Sequence, residues 1–324
     1  LTDDFIGHWD LVIGHLEAAR SQRQPMWDLI RPVLFAAGPA ALVSAAVGWL
    51  LGVVLPRQLA ERYRLSVALV VGFFVGNWLL PDSTPLVPIK HWHWLPYLAA
   101  GAAAIGGLTL GGGVWWPERL VAYALLAVVT AWLLVPHWEE LAPSRPYLIG
   151  LLAAYFTVLA SLLAAMPARL LGATLAAPFT VSSIAVALLI TMEVSMMYGQ
   201  LAAMAPASLA GCLVATLLTR SVSEGPIPTR SVSEESSLLP LATALRGLIP
   251  VYAVLVGGLA FVGTIEPAPP LWPIMLAPAA PLMLWLFAAS PLARLKGWPA
   301  VATQTAAVLV PLILLIVWVA LLGE

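Results

Sequence analysis

The chain has 324 residues, 61% of them hydrophobic and 10% charged, with fifteen Lys and Arg against sixteen Asp and Glu. An ordinary soluble domain carries roughly a quarter charged residues, so this chain could not cover a water-facing surface and its solvent is largely lipid. A net charge of −1 without a basic tail or stripe argues against a nucleic-acid partner. The single cysteine, Cys212, excludes an internal disulfide and a CxxC metal or redox motif.

Residues 1–31 read as an extramembrane amphipathic segment. Over 3–19, Phe5, Ile6, Trp9, Val12, Ile13 and Leu16 share one helical face while Asp3, Asp4, Asp10 and Glu17 lie elsewhere, the pattern of an interfacial helix or cap. No positively charged stretch followed by a short apolar run and a small-residue cleavage site occurs in residues 1–30, so no signal peptide is expected there.

Apolar runs then occur near 32–55, 65–81, 95–116, 119–136, 147–166, 170–192, 199–219, 248–265, 270–289 and 300–322. Crossing the hydrocarbon core takes about 20 helical residues, and these runs are continuous rather than alternating, which favours helices over a barrel. The expected fold is therefore an all-α, polytopic integral membrane bundle of about ten transmembrane helices. Seven belong to a membrane region at 32–219 and three to one at 248–324. Between them, residues 220–247 read as a cytoplasmic low-complexity loop carrying Thr219-Arg-Ser-Val-Ser-Glu224 and its copy Thr229-Arg-Ser-Val-Ser-Glu234.

Orientation follows from the basic loops. One set holds Arg57, Arg62, Arg64, Arg119, Arg169, Arg220, Arg230, Arg246, Arg294 and Lys296, the other only Lys90 and Arg145, so the first set is expected in the cytoplasm of a bacterial-type inner membrane. Ten crossings would leave both termini outside, against Arg20, Arg23 and Arg31 in the N-terminal tail; an upstream helix or one miscounted span would remove that conflict. Trp92, Trp94, Trp115, Trp116, Trp138, Trp272 and Trp298 fall at or near span ends and are expected to be interfacial anchors. Gly48-xxx-Gly52, Gly72-xxx-Gly76 and Gly107-xxx-Gly111 predict close packing of the first three helices.

No predicted span carries an ionisable residue near its centre, which argues against a proton pump or a carboxylate-coupled antiporter. Glu193, ending the sixth span, comes closest. Prolines interrupt several spans and free backbone carbonyls for other partners. The best-matched pair is the first span, with Pro39 then Ser44, and the sixth, with Pro178 then Ser182 and Ser183; together with Glu193 these are the candidate solute-binding residues. If the two spans correspond, five-plus-five inverted pseudo-symmetry follows, a layout of many secondary transporters.

All five histidines fall on the expected outer side, where His91, His93 and His137 with Glu139 and Glu140 form the sharpest chemical clustering, a candidate metal or haem site. No cofactor is otherwise expected, and no GxSxG, HExxH, Walker A or Rossmann motif is present. Three classes remain: a permease for a neutral or amphiphilic small solute, a non-catalytic membrane subunit or scaffold that binds partner proteins or forms a homo-oligomer, and an outer-face membrane transferase. Membrane lipid is the one partner expected in all three.

Overall fold

The computed structural model describes residues 26–80, 87–110, 114–141, 143–166, 176–223, 234–267, 271–288, 290, 295 and 298–322. The amphipathic segment expected at 3–19 lies outside them, as do residues 224–233 of the duplicated loop. Among the described residues the chain is all-helical, without a strand. Its α-helices are α1 (Met26–Val54), α2 (Arg57–Trp78), α3 (Leu95–Thr109), α4 (Trp116–Leu134), α5 (Arg145–Ala164), α6 (Ala176–Glu193), α7 (Met196–Ser223), α8 (Glu234–Ile265), the short α9 (Leu284–Ala288) and α10 (Trp298–Leu322). Three 3-10 segments, His91–Trp94, Glu139–Leu141 and Trp272–Met283, join or extend them.

Among the described residues six segments are long and apolar enough to cross a membrane: Val33–Val54, Trp116–Leu134, Arg145–Ala164, Met197–Thr216, Ala244–Ile265 and Pro299–Leu321. That makes the chain an integral membrane helix bundle by length and composition. The other expected spans differ for identifiable reasons. Helix α2 opens on Arg57, Glu61, Arg62 and Arg64, α3 has 15 residues and α6 has 18, and the run at 270–289 is mostly 3-10 helix. The flanking helices also enter the expected 220–247 loop, α7 running to Ser223 and α8 starting at Glu234.

Helix α8 is the axis of the bundle. It packs against α2, α3, α4, α5, α6 and α7 and against the Trp272–Met283 segment, and every residue of 247–265 is buried. A helix that is apolar all round has no face to offer water, which is why it takes the centre. Around it, α1 and α10 turn large side chains outward, such as Phe35 and Leu42 on α1 and Leu314 and Trp318 on α10. On a water-soluble protein such faces would drive aggregation. In lipid they are the solvated surface, and close approach through small residues holds the helices together.

The glycine patterns act in that way. A Cβ at Gly72 would meet the Ala40 carbonyl and Ser44 Cβ, both at 2.7 Å, and one at Gly76 would meet Met204 Sδ at 2.7 Å. So α2 lies tightly against α1, as expected, and also against α7. Gly106 of α3 abuts the carbonyl of Gly247 in α8, and a Cβ at Gly247 would come within 2.6 Å of the Arg62 carbonyl, which draws α2, α3 and α8 together at one end.

The tryptophans divide. Trp115, Trp116 and Trp272 are exposed at helix ends, as anchors should be, and Trp138 is exposed too. Trp92 is 4% exposed and faces inward, correcting the expectation that it is an anchor.

Candidate functional site

Of the sequence-predicted residues, Ser182 stands at the best-organised polar node. The stretch Trp272–Met283 cannot continue as an α-helix, because the Pro281 ring would collide with the Ala277 carbonyl and both Pro278 and Pro281 lack an N–H. It winds instead as a 3-10 helix of 12 residues, far beyond the usual three or four. In a 3-10 ladder the carbonyls that lose their donors to Pro278 and Pro281 are those of Met275 and Pro278.

Both are met by phenols from neighbouring helices. Tyr155 of α5 donates to the Met275 carbonyl at 2.8 Å, and the Tyr252 hydroxyl of α8 lies 3.0 Å from that of Pro278. Ser182 of α6 donates to the Ala277 carbonyl at 2.6 Å, while its Oγ lies 2.8 Å from the Tyr252 hydroxyl. With the Ser182 proton on Ala277, the single Tyr252 proton is shared between Ser182 Oγ and the Pro278 carbonyl. Phe179 stacks on the Tyr252 ring with centroids 4.1 Å apart. The broken segment's acceptors are thus satisfied by the chain's own hydroxyls, so the node is a closed structural joint.

The remaining candidates separate from it. Ser183 donates to the Phe179 carbonyl of its own helix at 2.8 Å, and Pro178 is buried in the first turn of α6, where a missing N–H costs little. Ser44 donates to the Ser208 carbonyl at 2.8 Å and touches Cys212 Sγ at 3.2 Å, tying α1 to α7; Pro39 sits one turn earlier without ending α1. Glu193 is half-buried at the end of α6.

At the opposite end of the bundle from Arg62 and Gly247, polar and aromatic side chains do converge on a space. A cavity of about 160 Å³ is lined by Asn77 in the last turn of α2 and Leu80 just beyond it, Trp92 before α3, and Met197, Tyr198, Gln200 and Leu201 in the first turns of α7. Local sequence explains the placement. Ser195 caps α7, its Oγ accepting the Tyr198 N–H at 3.3 Å, which sets Tyr198 one turn in. The 3-10 turn at His91–Trp94 is pinned by His93, whose Nδ1 accepts the N–H groups of Ile89 and Lys90, both at 3.2 Å, and that turn points Trp92 inward. Trp92 meets the Tyr198 ring edge to face at 6.0 Å.

Behind the cavity wall, Tyr198 donates to Glu266 Oε1 at 2.8 Å, and His91 Nε2 lies 3.4 Å from the same oxygen. The His91 ring packs edge to face on Trp138. Burial, then the charges of His93 and Lys90, push its pKa down to about 4, so at neutral pH an uncharged imidazole faces the carboxylate. Burial and Lys90 also lower that of His93.

Of the expected histidine cluster, His91 is thus joined to Glu266, His93 is turned to the backbone, and His137 and Glu139 are exposed; the Glu140 side chain lies outside the described residues. Among the described residues no three of His, Cys, Asp and Glu are grouped as metal ligands would be. Sequence reasoning missed Glu266, Tyr198, Asn77 and Gln200. Glu266 was readable as a carboxylate stopped at a span end by Pro267, but its partners come from helices distant in sequence.

Comparison with protein-family models, curated proteins and solved structures found no match.

Proposed function

We propose that this chain is a membrane permease that takes a small neutral or amphiphilic solute at the cavity formed by Asn77, Trp92, Tyr198 and Gln200. The observation that carries it is the cavity's lining: two carboxamides, a phenol, an indole and aliphatic side chains, with no charged group among them. Such a surface recognises a solute by stacking and neutral hydrogen bonds. Its volume is close to that of cavities of about 150 Å³ known to hold benzene, which suits a compound of roughly six to ten heavy atoms.

The topology supports the same reading. At about 1.5 Å per α-helical residue and 2.0 Å per 3-10 residue, Trp272–Ala288 extends about 30 Å, the thickness of the hydrocarbon core. Helix α6 reaches about 27 Å on the same scale. On this reading the ten apolar runs are crossings, with the basic loops in the cytoplasm and the cavity outside. A five-plus-five arrangement makes the α1–α2 and α6–α7 hairpins equivalent, and both are closely packed; the dominant α1–α7 packing has no equally prominent α2–α6 counterpart. The reading is therefore built on the cavity and not on symmetry.

The test is flux into proteoliposomes, presented with polyols, amides, small aromatic alcohols and neutral amino acids as separate solutes. One class should enter above empty vesicles, and Gln200→Leu or Trp92→Ala should reduce the rate about ten-fold, the equivalent of about 1.4 kcal/mol. Absence of entry or retention for every class would favour the partner-binding subunit instead.

One observation favours a second reading, an outer-face transferase: Tyr198, which lines the cavity, bonds to the Glu266 carboxylate behind the cavity wall, and that carboxylate lies beside the imidazole of His91. In that case Glu266→Gln would abolish turnover while leaving solute binding intact, whereas a permease would keep its flux.

A further inference from the structure

Among the side chains that line the cavity, Trp92 carries a polar group for which the fold has no use. The residue is 4% exposed, and its Nε1 is sealed from solvent and makes no hydrogen bond among the described residues. The Tyr198 hydroxyl is near enough to interact with the indole but lies outside hydrogen-bonding geometry, and it gives its own proton to Glu266 Oε1 at 2.8 Å. An indole N–H can only donate, so the missing lone pair has to come from outside these residues.

The donor is also held in place. The Lys90 ammonium stands over the Trp92 ring, 5.8 Å from its centroid, while the rings of His93 and Tyr198 meet it edge to face at 4.0 and 6.0 Å. His93 is itself fixed by the two backbone N–H groups it accepts. A buried donor without an acceptor bears its full desolvation cost, and in a native structure such a group marks the place of a water or a ligand.

The rest of the lining says what kind of ligand. Gln200 brings a carboxamide, which both donates and accepts, and Leu80, Met197 and Leu201 form an apolar wall. A solute matching this set offers a carbonyl oxygen to Trp92 and an N–H to the Gln200 carbonyl, on a short apolar body. A polyol would press hydroxyls against the apolar wall, and a zwitterionic amino acid would bring two charges to a lining that has none.

Building on the permease reading of this cavity, we infer that its solute is a small neutral carboxamide and that the Trp92 indole N–H is the donor that selects it, by its carbonyl oxygen.

The test pairs entry with binding on the full chain. Stopped-flow light scattering of proteoliposomes compares butyramide with a butanediol of equal size, each corrected for empty vesicles. Butyramide should enter about five-fold faster, and Trp92→Phe, which keeps a ring but removes the N–H, should slow it about five-fold, the effect of one neutral hydrogen bond. Separately, in detergent-solubilised protein labelled at the indole nitrogens, the NMR signal that Trp92→Phe removes should move downfield with butyramide and stay still with the diol. Entry of the diol or another solute class without butyramide leaves the permease standing and overturns the carboxamide. A moving signal without entry upholds the carboxamide site and overturns transport. Undiminished butyramide entry in Trp92→Phe overturns the role of the indole, and no entry and no shift with any solute overturns both readings. Should Trp92→Phe not fold, the wild type decides: a five-fold preference for butyramide upholds the inference, and equal entry of the two solutes refutes it.

Discussion

Tyr252 shows how one hydroxyl can decide the geometry of a membrane interior. Removing it leaves the Pro278 carbonyl without the donor that Pro281 cannot supply, in surroundings with no water to replace it. Tyr252→Phe should therefore cost about 1–3 kcal/mol, read as a lower midpoint in a detergent-solubilised unfolding titration. Ser182→Ala should cost a similar amount, and the double variant less than the sum, since the hydroxyls share one network. Additive losses would show that they act separately. His91 carries a pH dependence of definite sign. Its folded pKa, about 4, lies below the unfolded value near 6.5, so protonation favours unfolding. The contribution is intact above about pH 6.5, falls as pH drops through the window, and is lost near pH 4, to a total on the order of 3 kcal/mol. The groups around the imidazole are Glu266, Trp138, His93 and Lys90, so a His91→Gln control isolates its share. The wild-type midpoint should fall with acid more steeply than that of His91→Gln, and parallel curves would exclude His91 as the cause.

Among the helices, the prolines do not act alike. Pro206 and Pro311 are accommodated inside α7 and α10, and Pro178 sits harmlessly at the start of α6, whereas Pro278 and Pro281, three residues apart, force a change of ladder. A single proline removes one bond from an α-helix; two at that spacing leave consecutive turns without donors, and the 3-10 path that results exposes carbonyls usable only where hydroxyls already wait. Proline positions were legible in the sequence, but which ones would rewind the helix depended on Tyr155, Ser182 and Tyr252 on three other elements. Glycine positions divide in the same way. Gly72→Val drives a side chain into the Ala40 carbonyl and Ser44 and should destabilise by about 1–3 kcal/mol. Gly101→Ala, with nothing within 4 Å of the place its Cβ would take, should be neutral or gain up to about 1 kcal/mol from helix propensity. Thermal stability of the two purified variants checks both, and equal losses would contradict the packing described.

Along α8 no charged residue stands between Arg246 and Glu266, which are about 30 Å apart at about 1.5 Å per residue. Native Cys212, buried and directed at the Leu65 carbonyl, should resist maleimide in intact membranes. In that silent background Glu139→Cys should label from outside, and Gln58→Cys only after the membrane is opened; the reverse pattern would invert the proposed orientation. Composition alone determined that the solvent is lipid and that the fold is helical, because backbone polar groups in hydrocarbon must be satisfied within each segment. Hydropathy also located the runs, since apolar length is a local property. Which helix would be central, why Trp92 leaves the interface, and the meeting of Asn77, Trp92, Tyr198 and Glu266 were decided only by tertiary packing. These residues come from α2, the turn before α3, α7 and the end of α8, and side-chain convergence between distant segments leaves no periodic trace along a single chain.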